Sequence, residues 1–324
     1  MGADAQSGAD RKLLGGWESL GPILVPSPDS LLIPGGLGPV WPVKLSGGEC
    51  DLLIAGRGTD GTHRIIRTMA TVGREAAVGE DATPVLDADG RSGFDRHGTG
   101  YPCLAEVDGV RTLLYVGWHR LDGAIPFRNE VGSAVLDDDL VVLERADGPI
   151  LSGPDSLVGS GSCDVVEVGG QTRLLYTRFL SWERFGTGMR HRYEIHIAER
   201  QEGVWRTGPW PAISLQGDEY ALCHPSTIVF DDSVLCAFTA RGDRYRLHLA
   251  VSGPNLCFRR LPGTIELAAG VRDDDMQCYP RFAWDGEDLV LFYSGNRYGR
   301  DGLLAARWVG ASIQDLVDEA RQRI

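Results

Sequence analysis

The sequence contains no long hydrophobic run. No stretch reaches the roughly 18 consecutive apolar residues that a membrane-spanning helix needs. Residues 1–16 lack the apolar segment of a secretory signal peptide. The seven cysteines form no C-x-x-C pair, which is typical of reduced thiols and not of a disulfide framework or a metal cluster. Together these absences predict a cytoplasmic protein.

The sequence also has little positive charge. Its 32 Lys and Arg residues are outnumbered by 45 Asp and Glu residues, which gives a formal net charge of −13. Nucleic acids and anionic membranes bind proteins through basic faces, so we expect neither as a partner. No glycine-rich nucleotide motif and no calcium-loop spacing occurs, so we expect no cofactor, although a cation in a central channel stays open.

Glycine and proline are abundant, with 43 and 17 residues, and they recur within an internal repeat. Five segments share a polar or glycine lead, a first strand, a polar turn and an apolar second strand. The segments are residues 38–57, 98–119, 159–178, 222–241 and 277–297. One slot within them is occupied by Pro42, Pro102, Cys163, Pro225 and Pro280. The residues thirteen positions later are Ala55, Tyr115, Tyr176, Phe238 and Tyr293, so the internal register is constant.

A third, alternating strand follows each hairpin, at residues 63–72, 130–136, 193–199, 245–252 and 302–308. Weaker fourth strands are predicted at residues 141–145, 204–206 and 257–261. Four strands in units of about 60 residues are typical of propeller blades. The sequence therefore predicts an all-β, five-bladed β-propeller with a short C-terminal helix.

The two ends of the chain differ from the repeats. Residues 1–16 are predicted to form a flexible tail, and residues 17–310 the propeller. Ser312 begins a predicted helix with Asp315 as a capping pair, over residues 311–324. Its apolar stripe is expected to pack on the propeller; the stripe consists of Ile313, Leu316, Val317 and Ala320.

In a propeller the first strands line the central channel, so their leading residues face the default ligand site. Immediately before the slot the five repeats carry Trp41, Tyr101, Ser162, His224 and Tyr279. After the second strands come Arg57, His119, Arg178, Arg241, Asn296 and Arg297. Carboxylates precede or occupy the first strands at Asp95, Asp155, Asp164, Glu219 and Asp275. Aromatic faces stack on sugars and arginine forks bind carboxylate or phosphate, so we expect a sugar-like or anionic small molecule.

These residues resemble a known group of proteins. Residues 273–299, DDDMQCYPRFAWDGEDLVLFYSGNRYG, resemble the last blade of glycoside-hydrolase-like propellers in the five-bladed group that contains hydrolase families 32, 43 and 68. The Gly117-Trp118-His119 run and the Pro126-Phe127-Arg128-Asn129 run are similar to second-blade motifs of that group, which implies a binding role for Arg128. Some relatives hold a channel cation near a histidine, a role open to His224.

The resemblance implies carboxylate acid–base chemistry, but three positions depart from the pattern. The first blade carries Trp41-Pro42 where an Asp-Pro is usual, and the third carries Asp164 where a glutamate is usual. The acidic lead of the fifth blade ends in Asp275 where a glutamate is usual. The usual set of three catalytic carboxylates is therefore not reproduced.

Two main functions stay open from the sequence. The first is hydrolysis of a sugar-containing metabolite, with Glu219 as acid and Asp275 or Asp95 as base. In that hypothesis Asp164 tunes a neighbouring pKa, and His224 can replace a carboxylate.

The second is a non-hydrolytic propeller that binds an anionic metabolite through rim arginines, or performs an elimination, cyclisation or transfer step in a biosynthetic pathway. A protein-interaction propeller is a third interpretation. The channel residues differ from blade to blade, which suits a small-molecule site better.

Overall fold

The computed structural model describes residues 15–30, 32–59, 61–79, 81–88, 93–151, 159–268, 270–310 and 312–321. The regular secondary structure of these residues is almost entirely β-strand, with two short helices near the C-terminal end. No helix of the described part of the chain is long and apolar enough to cross a membrane.

The strands form successive antiparallel meanders, preceded by β1 (Gly15–Val25). The first meander contains β2 (Gly36–Ser46), β3 (Glu49–Arg57), β4 (His63–Thr71) and β6 (Thr83–Leu86), with the short β5 (Ala76–Ala77) pairing with β1. The second contains β7 (Thr99–Val107), β8 (Val110–Arg120), β9 (Phe127–Leu136) and β10 (Val142–Arg145). The third contains β11 (Ser160–Val168), β12 (Gln171–Phe185), β13 (Gly188–Gln201) and β14 (Val204–Ile213).

The fourth meander contains β15 (Ala221–Phe230), β16 (Ser233–Arg241), β17 (Tyr245–Ser252) and β18 (Arg259–Arg260). The last contains β19 (Cys278–Asp285), β20 (Asp288–Ser294) and β21 (Leu303–Gly310). Two helical segments follow β20 and β21, namely α1 (Asn296–Gly299) and α2 (Ile313–Arg321). In α1, Arg297 and Tyr298 have left-handed φ angles of 57° and 61°.

The first strands of the meanders contact one another in a closed ring. The strand β2 contacts β7, β7 contacts β11, β11 contacts β15, β15 contacts β19, and β19 contacts β2. This ring is the arrangement of a β-propeller. The meanders belong to four hydrogen-bonded sheets, because a single parallel pair, Tyr193 with Ala221, joins the third and fourth meanders. The count of five blades therefore stays our interpretation of the ring.

The hairpin turns explain why the first two strands of each meander were readable from the sequence. Tight two-residue turns need left-handed backbone, which glycine and aspartate adopt most readily. Asp108 and Gly109 have φ angles of 52° and 76°, and Gly169 and Gly170 of 58° and 67°. The turn chemistry thus fixes the register of the hairpins before any tertiary contact forms.

The last sheet is completed by the N-terminal strand. The strand β1 pairs antiparallel with β21, with Gly15 opposite Gly310 and Trp17 opposite Trp308. The predicted flexible tail at residues 1–16 is therefore too long, because Gly15 and Gly16 already belong to this ladder. The rest of that tail lies outside the described residues.

The C-terminal helix α2 packs against β16 and β17. The Ser312 hydroxyl accepts a hydrogen bond from the backbone N–H of Gln314 at 3.1 Å, which caps the first turn. Ile313, Leu316 and Val317 are buried in a core cluster shared with the fourth and last meanders. The predicted apolar stripe is thus the face that docks on the sheets.

Candidate functional site

Every first strand carries a β-bulge at the mouth of the channel. The ladder shifts between Gly100 and Cys103 in β7, between Cys223 and Ser226 in β15, and between Cys278 and Arg281 in β19. A bulge bends its strand and re-aims the extra side chain. The bulged residues Tyr101, His224 and Tyr279 have left-handed φ angles of 54°, 55° and 58°.

The bulges correct the predicted register in two repeats. In β2 the shift falls between Leu37 and Val40, and in β11 between Ser160 and Cys163. Gly38, not Trp41, is therefore the counterpart of Tyr101 in the first meander. Gly161, not Ser162, is the counterpart in the third. The sequence alignment misplaced both because it followed Pro42 and Cys163, which lie beyond the bulge.

A cavity of about 270 Å³ lies above these bulges. Its wall is mainly aromatic, and the rings are Tyr101, Trp118, Phe127, Phe179, Tyr193, Tyr245, Tyr279 and Tyr298. Smaller residues also line it, among them Gly161, Ser162 and Thr177. A concave pocket with an apolar wall and few polar groups is typical of a small-molecule site.

Two tyrosines form the floor of the cavity. The Tyr101 hydroxyl donates to the Tyr279 hydroxyl at 3.1 Å, and burial raises the pKa of both phenols. The buried ring of His224 lies beside them, with ring centroids 5.8 Å from Tyr101 and 5.6 Å from Tyr279. Burial and the charge of Arg281 lower the pKa of His224 to about 3, so this imidazole is neutral.

Arg57 and Arg241 are the two arginines that line the cavity. The Arg241 guanidinium donates to the Tyr245 hydroxyl at 3.1 Å and to the Tyr298 hydroxyl at 3.3 Å. It also lies 4.5 Å from the ring centroid of Tyr245. These contacts hold the fork in one orientation without a carboxylate partner among the described ion pairs.

The histidines of the wall add no positive charge. Burial, followed by the charges of Arg57, Arg120 and Arg300, lowers the pKa of His63 to about 3. Burial and the charge of Arg241 lower the pKa of His191 to about 4. At neutral pH both imidazoles are uncharged hydrogen-bonding groups, and the arginines carry the positive charge of the site.

Among the described residues, no Asp or Glu lines this cavity. Asp164 is 1% exposed and pairs with Arg281 at 2.7 Å, while also accepting from the Thr227 hydroxyl at 2.7 Å. Arg281 in turn lies 3.2 Å from the ring centroid of Trp41. Trp41, Arg281 and Asp164 therefore fill the channel as a packed cluster and are not part of the cavity wall.

The predicted acid and the second predicted base also lie elsewhere. Glu219 receives two hydrogen bonds from the Arg260 guanidinium, at 2.6 and 2.7 Å. Burial alone would raise the pKa of Glu219, but the bonds from Arg260 and the Gln216 N–H together lower it, which disfavours an acid that must be protonated. Asp95 is fully buried and pairs with Arg145 and the Tyr115 hydroxyl.

Asp275 and Arg297 line a second, shallower cavity at the mouth of the central one. The remaining predicted residues line neither cavity. Arg128 pairs with Glu130 at 2.6 Å, and His119 stacks against His97. Asn296 accepts hydrogen bonds from the backbone N–H groups of Asp275 and Met276, which fixes the turn before β19. Arg178 lies on β12, and Asp155 is outside the described residues.

Several lining residues were missed by the sequence analysis. Phe179, His191 and Tyr193 come from β12 and β13, which extend as a long hairpin beside the cavity. His63 begins β4, and Tyr298 lies in α1. The long hairpin had one readable signal, because aromatic residues recur along residues 179–193. Among the described residues, no group of three or more His, Cys, Asp or Glu side chains could hold a metal ion.

No family model matches the chain. An uncharacterized protein of Mycobacterium tuberculosis (strain CDC 1551 / Oshkosh) is 29% identical over 265 residues, which is 76% of this chain and 84% of that protein. A second uncharacterized protein, from strain ATCC 25618 / H37Rv, matches with the same identity and coverage.

Solved structures show the similarity of fold. An α-L-arabinofuranosidase from Lactobacillus brevis has a TM-score of 0.61 and 12% identity, covering 87% of this chain and 94% of that one. A thermostable family-43 glycoside hydrolase has a TM-score of 0.59 and 12% identity, covering 84% and 88%. A structure described with the GH130 family of mannoside phosphorylases, which contains glycoside hydrolases that target β-1,2 mannosidic linkages in Candida mannan, has a TM-score of 0.67 and 15% identity, covering 93% and 95%.

These similarities define the class of the fold, a β-propeller of the type found in glycoside hydrolases. The prediction of an all-β propeller fold is confirmed, and the solved structures that share this fold include glycoside hydrolases. At these low identities the likeness concerns the fold, and the chemistry must be argued from the cavity itself.

Proposed function

We propose that the central cavity binds a polyhydroxylated, ring-shaped small molecule that carries an anionic group, and that it does so without a catalytic carboxylate pair. The observation that carries this proposal is the composition of the cavity wall. Eight aromatic rings and two arginines line it, and none of the described lining residues is a carboxylate. Aromatic faces stack on sugar rings, while an arginine fork binds a carboxylate in two places.

Arg241 is the best candidate for the anion-binding group. Its guanidinium group contacts tyrosine hydroxyls and a tyrosine ring, so a ligand carboxylate can pair with it without displacing an internal ion pair. The neutral side chains of His63 and His191 can then donate hydrogen bonds to the hydroxyl groups of the ligand or accept them.

The positions of the other carboxylates support the absence of the usual hydrolytic chemistry. Inverting hydrolysis needs two carboxyl groups roughly 6.5–9.5 Å apart on either side of the bond, and retaining hydrolysis needs them at roughly 5–5.5 Å. Asp95, Asp164 and Glu219 are each engaged by an arginine away from the cavity. Freeing any of them would leave a partly buried guanidinium without its partner.

The test uses two sugars that differ in one group. Glucuronate and glucose share the ring and differ in the carboxylate, so we expect glucuronate to raise the melting temperature and glucose to have a much smaller effect. Arg241→Gln should abolish the preference, whereas Arg206→Gln, a change at an exposed position on β14, should preserve it. Equal shifts from the two sugars, or none from either in calorimetry and thermal melts, would contradict the proposal.

Hydrolysis of a glycoside is the second candidate, favoured by the glycosidase neighbours and by Asp275 at the cavity mouth. A panel of aryl glycosides distinguishes it. Turnover that disappears in Asp275→Asn, with binding of the substrate retained, would establish hydrolysis and overturn the non-hydrolytic proposal. Turnover that survives in this variant would exclude Asp275 as the catalytic group.

A further inference from the structure

The shallower cavity at the mouth has a strongly positive wall. It measures about 550 Å³ and shares Arg57, His63, Trp118 and Tyr298 with the central cavity. Its other charged lining residues are Arg120, Arg297, Arg300 and Asp275. Four guanidinium groups therefore face one carboxylate, in a chain whose formal net charge is −13.

Three of these arginines are available for a ligand. Arg297 pairs with Asp301. Within the described residues, no ion pair engages Arg57, Arg120 or Arg300. They come from three different parts of the ring, because Arg57 ends β3, Arg120 ends β8 and Arg300 follows α1. A ligand between them would be approached from three sides.

Glycines make room for two of the three side chains. A Cβ atom at Gly61 would lie 3.1 Å from a guanidinium nitrogen of Arg120. A Cβ atom at Gly36 would lie 2.8 Å from Cγ of Arg300. Both arginines thus lie against bare backbone, which limits their freedom before a ligand binds. The lowered pKa of His63 is a second sign that the charges converge, because burial and then Arg57, Arg120 and Arg300 lower it.

We propose that Arg57, Arg120 and Arg300 form a phosphoryl-binding subsite, so that the molecule held in the central cavity is a phosphate ester. A carboxylate has two oxygens and is satisfied by one arginine fork, whereas a phosphate monoester offers three terminal oxygens and nearly two negative charges. Three guanidinium groups that approach from three directions suit the three terminal oxygens of a phosphate monoester. Arg57 lines both cavities, so a phosphoryl group bound to it would lie directly beside the aromatic wall of the central cavity.

The first experiment uses inorganic phosphate and isothermal titration at fixed ionic strength, with chloride as the matched anion. We expect saturable phosphate binding to the wild-type protein and at least about tenfold weaker binding in Arg120→Gln and in Arg300→Gln. Arg111→Gln is the control, since Arg111 lies near the opposite end of the same strand β8 and neither cavity contains it. Its affinity should equal that of the wild-type protein.

Phosphate binding no tighter than chloride binding would overturn the subsite, and so would an equal loss in Arg111→Gln. The second experiment separates this inference, which rests on the proposed function, from that function itself. Glucose 6-phosphate should bind at least about tenfold tighter than glucose, and Arg120→Gln and Arg300→Gln should remove that gain while glucuronate binding remains. A wild-type protein that binds glucuronate but not phosphate overturns the subsite, whereas a wild-type protein that binds phosphate but not glucuronate overturns the proposed function.

Discussion

Arginine provides almost all the positive charge of this protein, because Lys12 and Lys44 are its only lysines. The guanidinium fork serves two purposes in the structure. In the channel and the outer sheets, Arg281 and Arg260 neutralise Asp164 and Glu219. At the cavity, Arg241 is held by tyrosines and keeps its charge for a ligand. The same residue type therefore explains both why predicted catalytic carboxylates are occupied and why an anion is expected.

The pair of Asp164 and Arg281 should contribute strongly to stability. We expect Asp164→Asn to lower the free energy of unfolding by about 3–5 kcal/mol, because it leaves the buried Arg281 cation without its partner. Urea unfolding measures this change. Asp138→Asn is the control, since Asp138 is fully exposed where it pairs with Arg111, and its loss should have no measurable effect. Similar stabilities for the two variants would contradict the structural role.

At this scale the sequence predicted residue types better than positions. Tyr101 and Tyr279 were expected at the channel mouth and line the cavity, as do Arg57 and Arg241. Trp41 was misplaced because a bulge shifts side chains by whole positions without leaving a clear sequence signal. The places of Asp95 and Glu219 in the chain predict catalytic carboxylates, but their ion pairs depend on arginines far along the sequence.

Strands joined by tight turns were predictable from the sequence, whereas strands that pair with distant parts of the chain were not. The first two strands of each meander follow from Gly and Asp at the hairpins. The strand β1 was missed because its partner β21 lies at the other end of the chain. The extension of β12 and β13 was missed because the recurring aromatic residues at 179–193 do not by themselves distinguish a long hairpin from two strands joined by a loop.

The closure by β1 can be tested at Trp17. Its ring stacks on Phe282 and meets Trp308 edge to face, with centroids 6.0 and 5.4 Å away. Because Trp17 is half-buried, we expect Trp17→Ala to cost about 2 kcal/mol of unfolding free energy, less than for a fully buried ring. Trp210→Ala removes the same side chain from a position that is 80% exposed and should change stability by less than about 0.5 kcal/mol. Equal effects would argue against β1 as a stabilising strand.

At the scale of the whole molecule, charge is distributed unevenly. The formal net charge is −13, yet the mouth of the channel presents four arginines and one aspartate. A local excess of positive charge in a chain of negative net charge favours the approach of small anions to this mouth. The propeller fold was predictable because five segments of the sequence share one pattern. This charge contrast was not predictable, because it depends on which loops the ring brings together.

Stability should depend on pH through the buried histidines. His224 has a folded-state pKa of about 3, below its ordinary value of 6.5, so only the unfolded chain binds a proton between these values. The stability that the neutral His224 side chain contributes is present above pH 6.5 and is lost as the pH falls toward 3. Between pH 7 and pH 5 we expect the wild-type protein to lose about 2 kcal/mol more stability than His224→Asn, in urea unfolding at each pH. Parallel pH profiles for the two proteins would contradict this assignment.

The pairing of β1 with β21 has a consequence for biosynthesis. On the ribosome, β1 emerges among the first strands, but its antiparallel partner emerges only with residues 303–310. Until then the apolar residues of β1 have no native neighbour on that side, and the last sheet cannot assemble. We therefore expect the nascent chain to depend on chaperones until residues 303–310 have left the exit tunnel, and the ring to close only after that strand has emerged.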